Sequence, residues 1–117
     1  MMIDIKLEEG GKLPAPATEY AGALDCYALL ECDTESVTLG AGAHCAISLG
    51  FSVAVPVGFR LRLVGRSGMA SHNQRVHPGI IDADYRGVVK AIVYNDRCLR
   101  DMSAPAPNLG DILCKKS

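Results

Sequence analysis

Apolar and polar residues alternate with a period of two in several segments of the chain. The alternation covers residues 3–7, 51–55 and 59–63, with isoleucine, leucine, valine or phenylalanine at every second position. Successive side chains of a β-strand point to opposite faces, so this pattern predicts strands with one buried face. The 12 glycines and 6 prolines are spread at short intervals, which suits short strands joined by tight turns. We therefore expect an all-β fold, a compact barrel or jelly-roll-like sandwich.

The sequence between the strands contains recognisable turn signals. Pro56-Val57-Gly58 lies between two alternating segments and predicts a tight hairpin connection. Gly40-Ala41-Gly42 predicts a turn rather than a nucleotide cradle. Only Met69 to His72 favours a short helical turn, and Arg97 to Asn108 is the least patterned stretch and reads as a loop.

Length and charge exclude several classes of protein. The 117 residues carry 12 Lys and Arg against 13 Asp and Glu, a formal net charge of −1. This length supports one core, so we expect a single domain over residues 1–117. Proteins that bind nucleic acid usually show a basic excess, which this chain lacks. No apolar run reaches the roughly 18 residues of a membrane helix, and the first residues form no signal-peptide block. We expect a cytoplasmic protein.

The cysteines do not form a metal-binding or disulfide pattern. None of the five has the Cys-x-x-Cys spacing, and the three histidines do not complete a zinc set. The odd count predicts reduced thiols. Cys26 and Cys45 lie in apolar stretches, where we expect them to pack as small hydrophobic residues.

The first candidate site is residues 65–70, which directly follow an alternating strand. The segment places the Arg66 guanidinium, the Ser67 hydroxyl and the backbone of Gly68 together. Arginine forks onto phosphate oxygens, and glycine allows a ligand to approach the backbone closely. The composition fits an oxyanion site, and it also fits an ordinary surface turn.

The second candidate site is residues 78–87, in which Asp82 and Asp84 are followed by Tyr85. On a strand the two carboxylates would share a face, whereas in a turn both would stay solvated. One carboxylate is suited to hold a water, and the aromatic ring is suited to pack on a sugar. The residues alone leave a site and a plain β-turn equally open.

Catalytic signatures of other enzyme classes are not found. Ser71 and His72 are neighbours, but the chain has no Gly-x-Ser-x-Gly motif, so a hydrolase triad is not indicated. Gly10-Gly11-Lys12 lacks the spacing of a P-loop.

Three stretches in this order resemble motifs of the trimeric dUTPase family, whose members split dUTP into dUMP and pyrophosphate. They are Ala21-Gly22-Ala23-Leu24-Asp25-Cys26-Tyr27-Ala28, Arg66-Ser67-Gly68-Met69-Ala70 and Gly79-Ile80-Ile81-Asp82-Ala83-Asp84-Tyr85-Arg86-Gly87. The third is the nearest match, and the similarity extends over residues 1–96. Residues 110–115 retain only the Gly-Asp that opens the fourth motif, and the glycine-rich fifth motif is absent, so residues 97–117 read as a divergent or truncated segment.

The resemblance implies a β-barrel that assembles as a homotrimer with shared active sites and hydrolyses dUTP with Mg²⁺. Asp82 would be the catalytic carboxylate that orients and deprotonates the attacking water, and Asp25 would bind the metal through water. The implied substrate-binding residues are Arg66, Ser67 and Gly68 at the phosphates, Val76, His77, Pro78 and Gly79 at the uracil edge, and Tyr85 against the deoxyribose.

Two other functions remain open on the same fold. Loss of the fourth and fifth motifs favours a catalytically impaired nucleotide-binding or regulatory protein. A dCTP deaminase would need a glutamate near the pyrimidine, and no glutamate follows Glu35.

Overall fold

A computed structural model describes residues 2–30 and 38–97. These residues form nine short strands and one four-residue helix, which confirms the all-β prediction. In chain order the elements are β1 (Asp4–Leu7), β2 (Ala15–Pro16), β3 (Leu24–Asp25), β4 (His44–Ser48), β5 (Phe51–Ala54), β6 (Leu61–Leu63), α1 (Ser67–Ala70), β7 (Gln74–Val76), β8 (Gly79–Ile81) and β9 (Lys90–Asn95). The helix begins two residues before the helical turn predicted from the sequence. The loop predicted over residues 97–108 lies, apart from Arg97, outside the described residues.

The strands pair antiparallel in four small sheets. One sheet has three strands in the order β4-β9-β7, and the others pair β1 with β5, β2 with β3 and β6 with β8. Most partners are distant in sequence, as in the register of His44 with Tyr94 across β4 and β9. Such non-local pairing is typical of a barrel or sandwich rather than of a simple meander.

The three-stranded sheet contributes one closely packed face to the core. On β9 the inward residues Ala91, Val93 and Asn95 are buried, while the alternate residues face outward. Val93 has no exposed surface, and Ile47 on β4 is 5% exposed. Burial of aliphatic side chains at this level contributes about 1.5–3 kcal/mol each, so this face holds the fold together.

The connection after β5 differs from the prediction. Phe59 N–H donates to Pro56 O at 3.0 Å, and Gly58 has φ +91°, which a type II turn requires at its third position. The tight turn is therefore present, but β5 pairs with β1 and β6 pairs with β8. The hairpin expectation was wrong, because the turn carries the chain from one sheet to another.

Two smaller predictions are confirmed. Ala43 N–H donates to Gly40 O at 3.1 Å, and Gly42 has φ +76°, so this stretch is a turn. Cys26 and Cys45 are free thiols, partly buried against the core. The described part of the chain includes no helix long and apolar enough to cross a membrane.

Candidate functional site

A cavity of about 390 Å³ is lined by residues of the two-stranded sheets and of the three-stranded sheet. Its walls are mostly aliphatic and include Ile5 from β1, Val53 from β5 and Leu63 from β6. Asp25 at the end of β3 and Arg66 after β6 also line it. An apolar cavity with an acidic and a basic side chain among its lining residues is the kind of site that binds small ligands.

Arg66 precedes helix α1 and is held in place by the packing of that helix. Its backbone is extended, with φ −95° and ψ 146°, and helical geometry begins at Ser67. Met69, one turn further, is 2% exposed and anchors the helix in the core. Arg66, Ser67 and Gly68 are exposed beside this anchor. The buried methionine thus fixes a short segment whose polar groups face solvent.

Side chains complete the carboxyl end of α1. Ser71 Oγ and His72 Nδ1 each lie 2.8 Å from the carbonyl oxygen of Gly68. Asn73 then adopts φ +59°, in the left-handed region that asparagine tolerates better than most residues, and the chain turns into β7.

The acidic segment is a turn and not a continuation of the strand. Strand β8 ends at Ile81, and Tyr85 N–H donates to Asp82 O at 3.1 Å. Asp82 and Asp84 are both exposed. Arg86 Nη1 donates to Ala83 O and reinforces the turn. Of the two arrangements left open by the sequence, the structure has the solvated one.

Tyr85 folds back over the end of this turn. Its hydroxyl donates to Val88 O at 3.0 Å. A Cβ added to Gly87 would meet that hydroxyl oxygen at 2.5 Å, so the ring needs a glycine beside it. Tyr85 remains 45% exposed, which leaves part of the ring available for a ligand.

The segment from Val76 to Gly79 connects two sheets. Val76 ends β7, which pairs with β9, and Gly79 begins β8, which pairs with β6. His77 N–H donates to Ile92 O at 2.8 Å, so this backbone donor is already engaged. The segment is therefore a connection between sheets and not a hairpin turn.

The structure brings only part of the predicted site to one place. Asp25, Arg66 and Val76 line the cavity, and Asp82 directly follows Ile81, another lining residue. The other predicted substrate-binding residues lie outside the lining: Ser67, Gly68, His77, Pro78, Gly79 and Tyr85.

A polar cluster on the outer face of the three-stranded sheet was not anticipated. The guanidinium of Arg75 lies 4.1 Å from the ring centroid of Tyr94, and His44 stacks on the same ring at 5.0 Å. Arg75 Nε also donates to Asp96 Oδ2 at 2.9 Å, and this bond raises the pKa of the guanidinium. Nothing in the sequence places residues 44, 75 and 94 side by side, because the row depends on strand pairing.

The surroundings of Cys26 and Cys45 favour the neutral form of each thiol. Burial and the neighbouring charge of Asp25 raise the pKa of Cys26, and burial raises the pKa of Cys45. Cys26 also lines the cavity.

The acidic residues fit a water-bound magnesium better than a metal held by protein alone. Among residues 2–30 and 38–97, no three His, Cys, Asp or Glu side chains form a metal-binding group. Mg²⁺ keeps several waters and commonly binds through one or two carboxylates together with substrate phosphates. Asp25, the single carboxylate in the cavity lining, suits that arrangement.

Most of the chain matches a known protein family. The dUTPase family model matches residues 9–99. The chain is 40% identical over 94 residues to a deoxyuridine 5'-triphosphate nucleotidohydrolase of Rickettsia massiliae, covering 77% of this chain and 62% of that protein. A protein of the same name from Chlamydia trachomatis is 37% identical over 93 residues, with the same coverage. The chain thus spans about three fifths of the length of these relatives.

Solved structures share the fold. A dUTPase variant of Staphylococcus bacteriophage 80alpha superposes with a TM-score of 0.74 at 22% identity, covering 83% of this chain and 61% of the phage chain. The dUTPase of phage phi11 gives 0.74 at 23% identity, covering 84% and 62%. The structure of a phi11 variant describes the coordination of a structural Mg(II) ion in that protein.

Proposed function

The chain belongs to the dUTPase family, and from this premise we propose that it hydrolyses dUTP to dUMP and pyrophosphate. The observation that carries the proposal is the exposed turn from Asp82 to Tyr85, which places a solvated carboxylate directly after a cavity-lining strand. The family match supplies the substrate, and the turn supplies the group that would activate water.

Asp82 is the general base of the proposed reaction. Its carboxylate accepts a proton from a water that attacks the α-phosphorus, and the bond from that phosphorus to the bridging oxygen of the leaving pyrophosphate breaks. A positioned general base contributes about 10²–10⁴ in rate. The bond from Tyr85 N–H to Asp82 O supports the role, because it fixes the backbone that carries the carboxylate.

The segment of Arg66, Ser67 and Gly68 binds the phosphates in this proposal. The guanidinium offers paired N–H donors to phosphate oxygens, and charge-assisted bonds of this kind are about twice as strong as neutral ones. Met69, buried below the segment, supports the proposal because it keeps these groups at a fixed place beside the cavity.

Tyr85 and the backbone of residues 76–79 provide selectivity. The ring of Tyr85 packs against the deoxyribose and excludes a 2′-hydroxyl, and Val76, His77, Pro78 and Gly79 surround the uracil. The partial exposure of Tyr85 and its hydroxyl bond to Val88 O support a ring that is held yet reachable.

Asp25 would hold Mg²⁺ through water in the proposed complex, and the bound ion would supply positive charge that neutralises the triphosphate. Its place in the same cavity lining as Arg66 supports this role. The chain's own cation at Arg66 adds to that neutralisation.

We further propose a homotrimer with shared active sites, formed by single-domain chains of a cytoplasmic protein. The supporting observation is the separation of the predicted groups, since Tyr85 and His77 lie outside the cavity that Asp25 and Arg66 line. A neighbouring copy would supply the groups that one chain does not bring together. Light scattering tests this assembly: we expect three subunits, and a monomer would contradict it.

The activity is tested by pyrophosphate release from purified full chain with millimolar Mg²⁺. We expect turnover of dUTP and at least about 100-fold slower turnover of UTP and dTTP. UTP adds a 2′-hydroxyl and dTTP adds a 5-methyl group, and fitting an extra group into a tight site costs about 3 kcal/mol. Measurable dUTP binding without turnover would instead support a nucleotide-binding regulatory protein.

A further inference from the structure

We propose that Ser71 and His72 are positioning residues for the phosphate-binding segment, acting together as a clamp on the Gly68 carbonyl. The inference rests on the proposed function, because that function assigns Arg66, Ser67 and Gly68 to the phosphates. Neither clamp residue touches the substrate in this account. They act through the backbone they hold.

The backbone bonds of α1 explain why a clamp is needed. Ala70 N–H donates to Arg66 O and Ser71 N–H to Ser67 O, as in a regular helix. His72 N–H then donates to Met69 O, three residues back, instead of to Gly68 O. The last carbonyls of a helix need partners from outside its regular ladder. The Gly68 carbonyl receives its donors from side chains.

Two side chains converge on that oxygen. Ser71 Oγ donates at 2.8 Å and His72 Nδ1 at 2.8 Å, and the two side-chain atoms lie 3.3 Å apart. A carbonyl oxygen has no proton, so Nδ1 of His72 carries the hydrogen. Nδ1 carries that hydrogen in the neutral tautomer that donates here, so the bond does not require a charged ring.

The clamp matters because the segment is short and exposed. Arg66, Ser67 and Gly68 are all exposed, and the four-residue helix has a single buried anchor at Met69. Such short helices are unstable without tertiary or capping contacts. A segment that leaves its binding conformation part of the time lowers apparent affinity in proportion to the fraction lost.

Steady-state kinetics on the full chain tests the clamp. We expect His72→Ala to raise the KM for dUTP about threefold to tenfold, the range that corresponds to loss of one hydrogen bond, with kcat within about twofold. His72→Asn places an amide N–H where Nδ1 lies and restores KM to within about twofold of wild type. We expect the double variant with Ser71→Ala and His72→Ala to raise KM more than either single change does.

Ser48→Ala is the control, because Ser48 Oγ accepts a hydrogen bond from Gly50 N–H at a distance from α1, and its loss tests the effect of removing a side-chain bond elsewhere in the fold. We expect its KM to equal that of wild type. A wild-type KM in His72→Ala, or no rescue by His72→Asn, overturns the proposal.

Amide hydrogen exchange separates this proposal from the function it rests on. Exchange within Ser67–Ala70 should accelerate in His72→Ala and return to the wild-type rate in His72→Asn, without any substrate. If dUTP is not hydrolysed but exchange follows this pattern, the clamp stands and the proposed activity falls. Unchanged exchange in His72→Ala overturns the clamp whatever the activity.

Discussion

The three-stranded sheet and the β3 and β6 side of the cavity differ in how far other elements cover their apolar residues. In the sheet, Val93 has no exposed surface and Ile47 is 5% exposed. In and next to β3 and β6, Leu63 is only partly buried, and Leu24 and Val64 are 55% and 54% exposed. Phe51 and Val53 of β5 line the same cavity but are 4% and 3% exposed. Alternation decides which face is apolar, whereas the packing of other elements on that face decides how much energy its burial supplies. The fold is thus closed at the three-stranded sheet and at β5, and it is open beside β3 and β6, where Asp25 and Arg66 lie.

Matched truncations should expose this difference most strongly. Ile47→Ala removes a buried side chain from β4, and we expect a loss of about 3 kcal/mol in the free energy of unfolding. Leu63→Ala on β6 removes a side chain that already borders open space, so we expect about 1 kcal/mol. Urea denaturation with both variants measures the two values. Equal losses would contradict the distinction between a closed and an open face.

Buried polar residues give a second comparison, inside the closed sheet itself. Asn95 Nδ2 donates to Leu39 O at 2.7 Å, and Asn95 Oδ1 accepts from Arg97 N–H at 3.2 Å. Across from it Gln74 is 1% exposed, and its Oε1 has no hydrogen-bond partner among the described residues. Asn95→Leu should therefore cost about 2 kcal/mol, while Gln74→Met should gain about 1 kcal/mol by removing an unsatisfied acceptor. Thermal unfolding measures both changes. Destabilisation by Gln74→Met would contradict the conclusion that Oε1 is an unsatisfied acceptor.

The two described thiols give a third comparison between the open and the closed region, with a smaller expected effect. Cys26 borders the open cavity beside Asp25, and Cys45 lies in the closed sheet. Because burial and the Asp25 charge raise the pKa of Cys26, Asp25→Asn should speed its alkylation at pH 8 about twofold and leave Cys45 unchanged. Peptide mass spectrometry resolves the two sites. An equal acceleration at Cys45 would point to general loosening instead.

The raised pKa of Cys26 also determines how the stability of the fold changes with pH. A thiol whose pKa is raised by folding ionises more readily in the unfolded chain. Its contribution to stability is therefore complete below the ordinary thiol pKa of about 8.5 and is lost as the pH rises through the folded-state value. Denaturation at pH 7 and pH 10 should show wild type losing more stability than Cys26→Ala.

Features that depend on neighbouring residues were predicted from the sequence better than features that depend on long-range strand pairing. The strands at residues 4–7 and 51–54 and the turn at Gly42 follow from alternation and glycine chemistry, which are properties of neighbouring residues. The hairpin expected at residues 56–58 failed, because the choice of partner strand depends on the whole sheet. The row of His44, Tyr94 and Arg75 could not be predicted from the sequence for the same reason.

The sequence indicated candidate residues for the site but not their arrangement. The resemblance to the dUTPase motifs implied Asp25, Arg66 and Asp82, and the structure places two of them in one cavity lining and the third beside it. Spacing along the chain did not show that Asp82 lies in a turn. It also gave no sign of the donors that Ser71 and His72 direct to the Gly68 carbonyl.

The most direct test of the account compares two neighbouring carboxylates in one exposed turn. Pyrophosphate release from saturating dUTP is measured for wild type, Asp82→Asn and Asp84→Asn, with dUTP binding followed by calorimetry. We predict at least about a 100-fold loss of kcat for Asp82→Asn with binding retained, because only the base is removed, and a change within about threefold for Asp84→Asn. A wild-type rate in Asp82→Asn, or an equal loss in both variants, would contradict the assignment of Asp82 as the group that activates water.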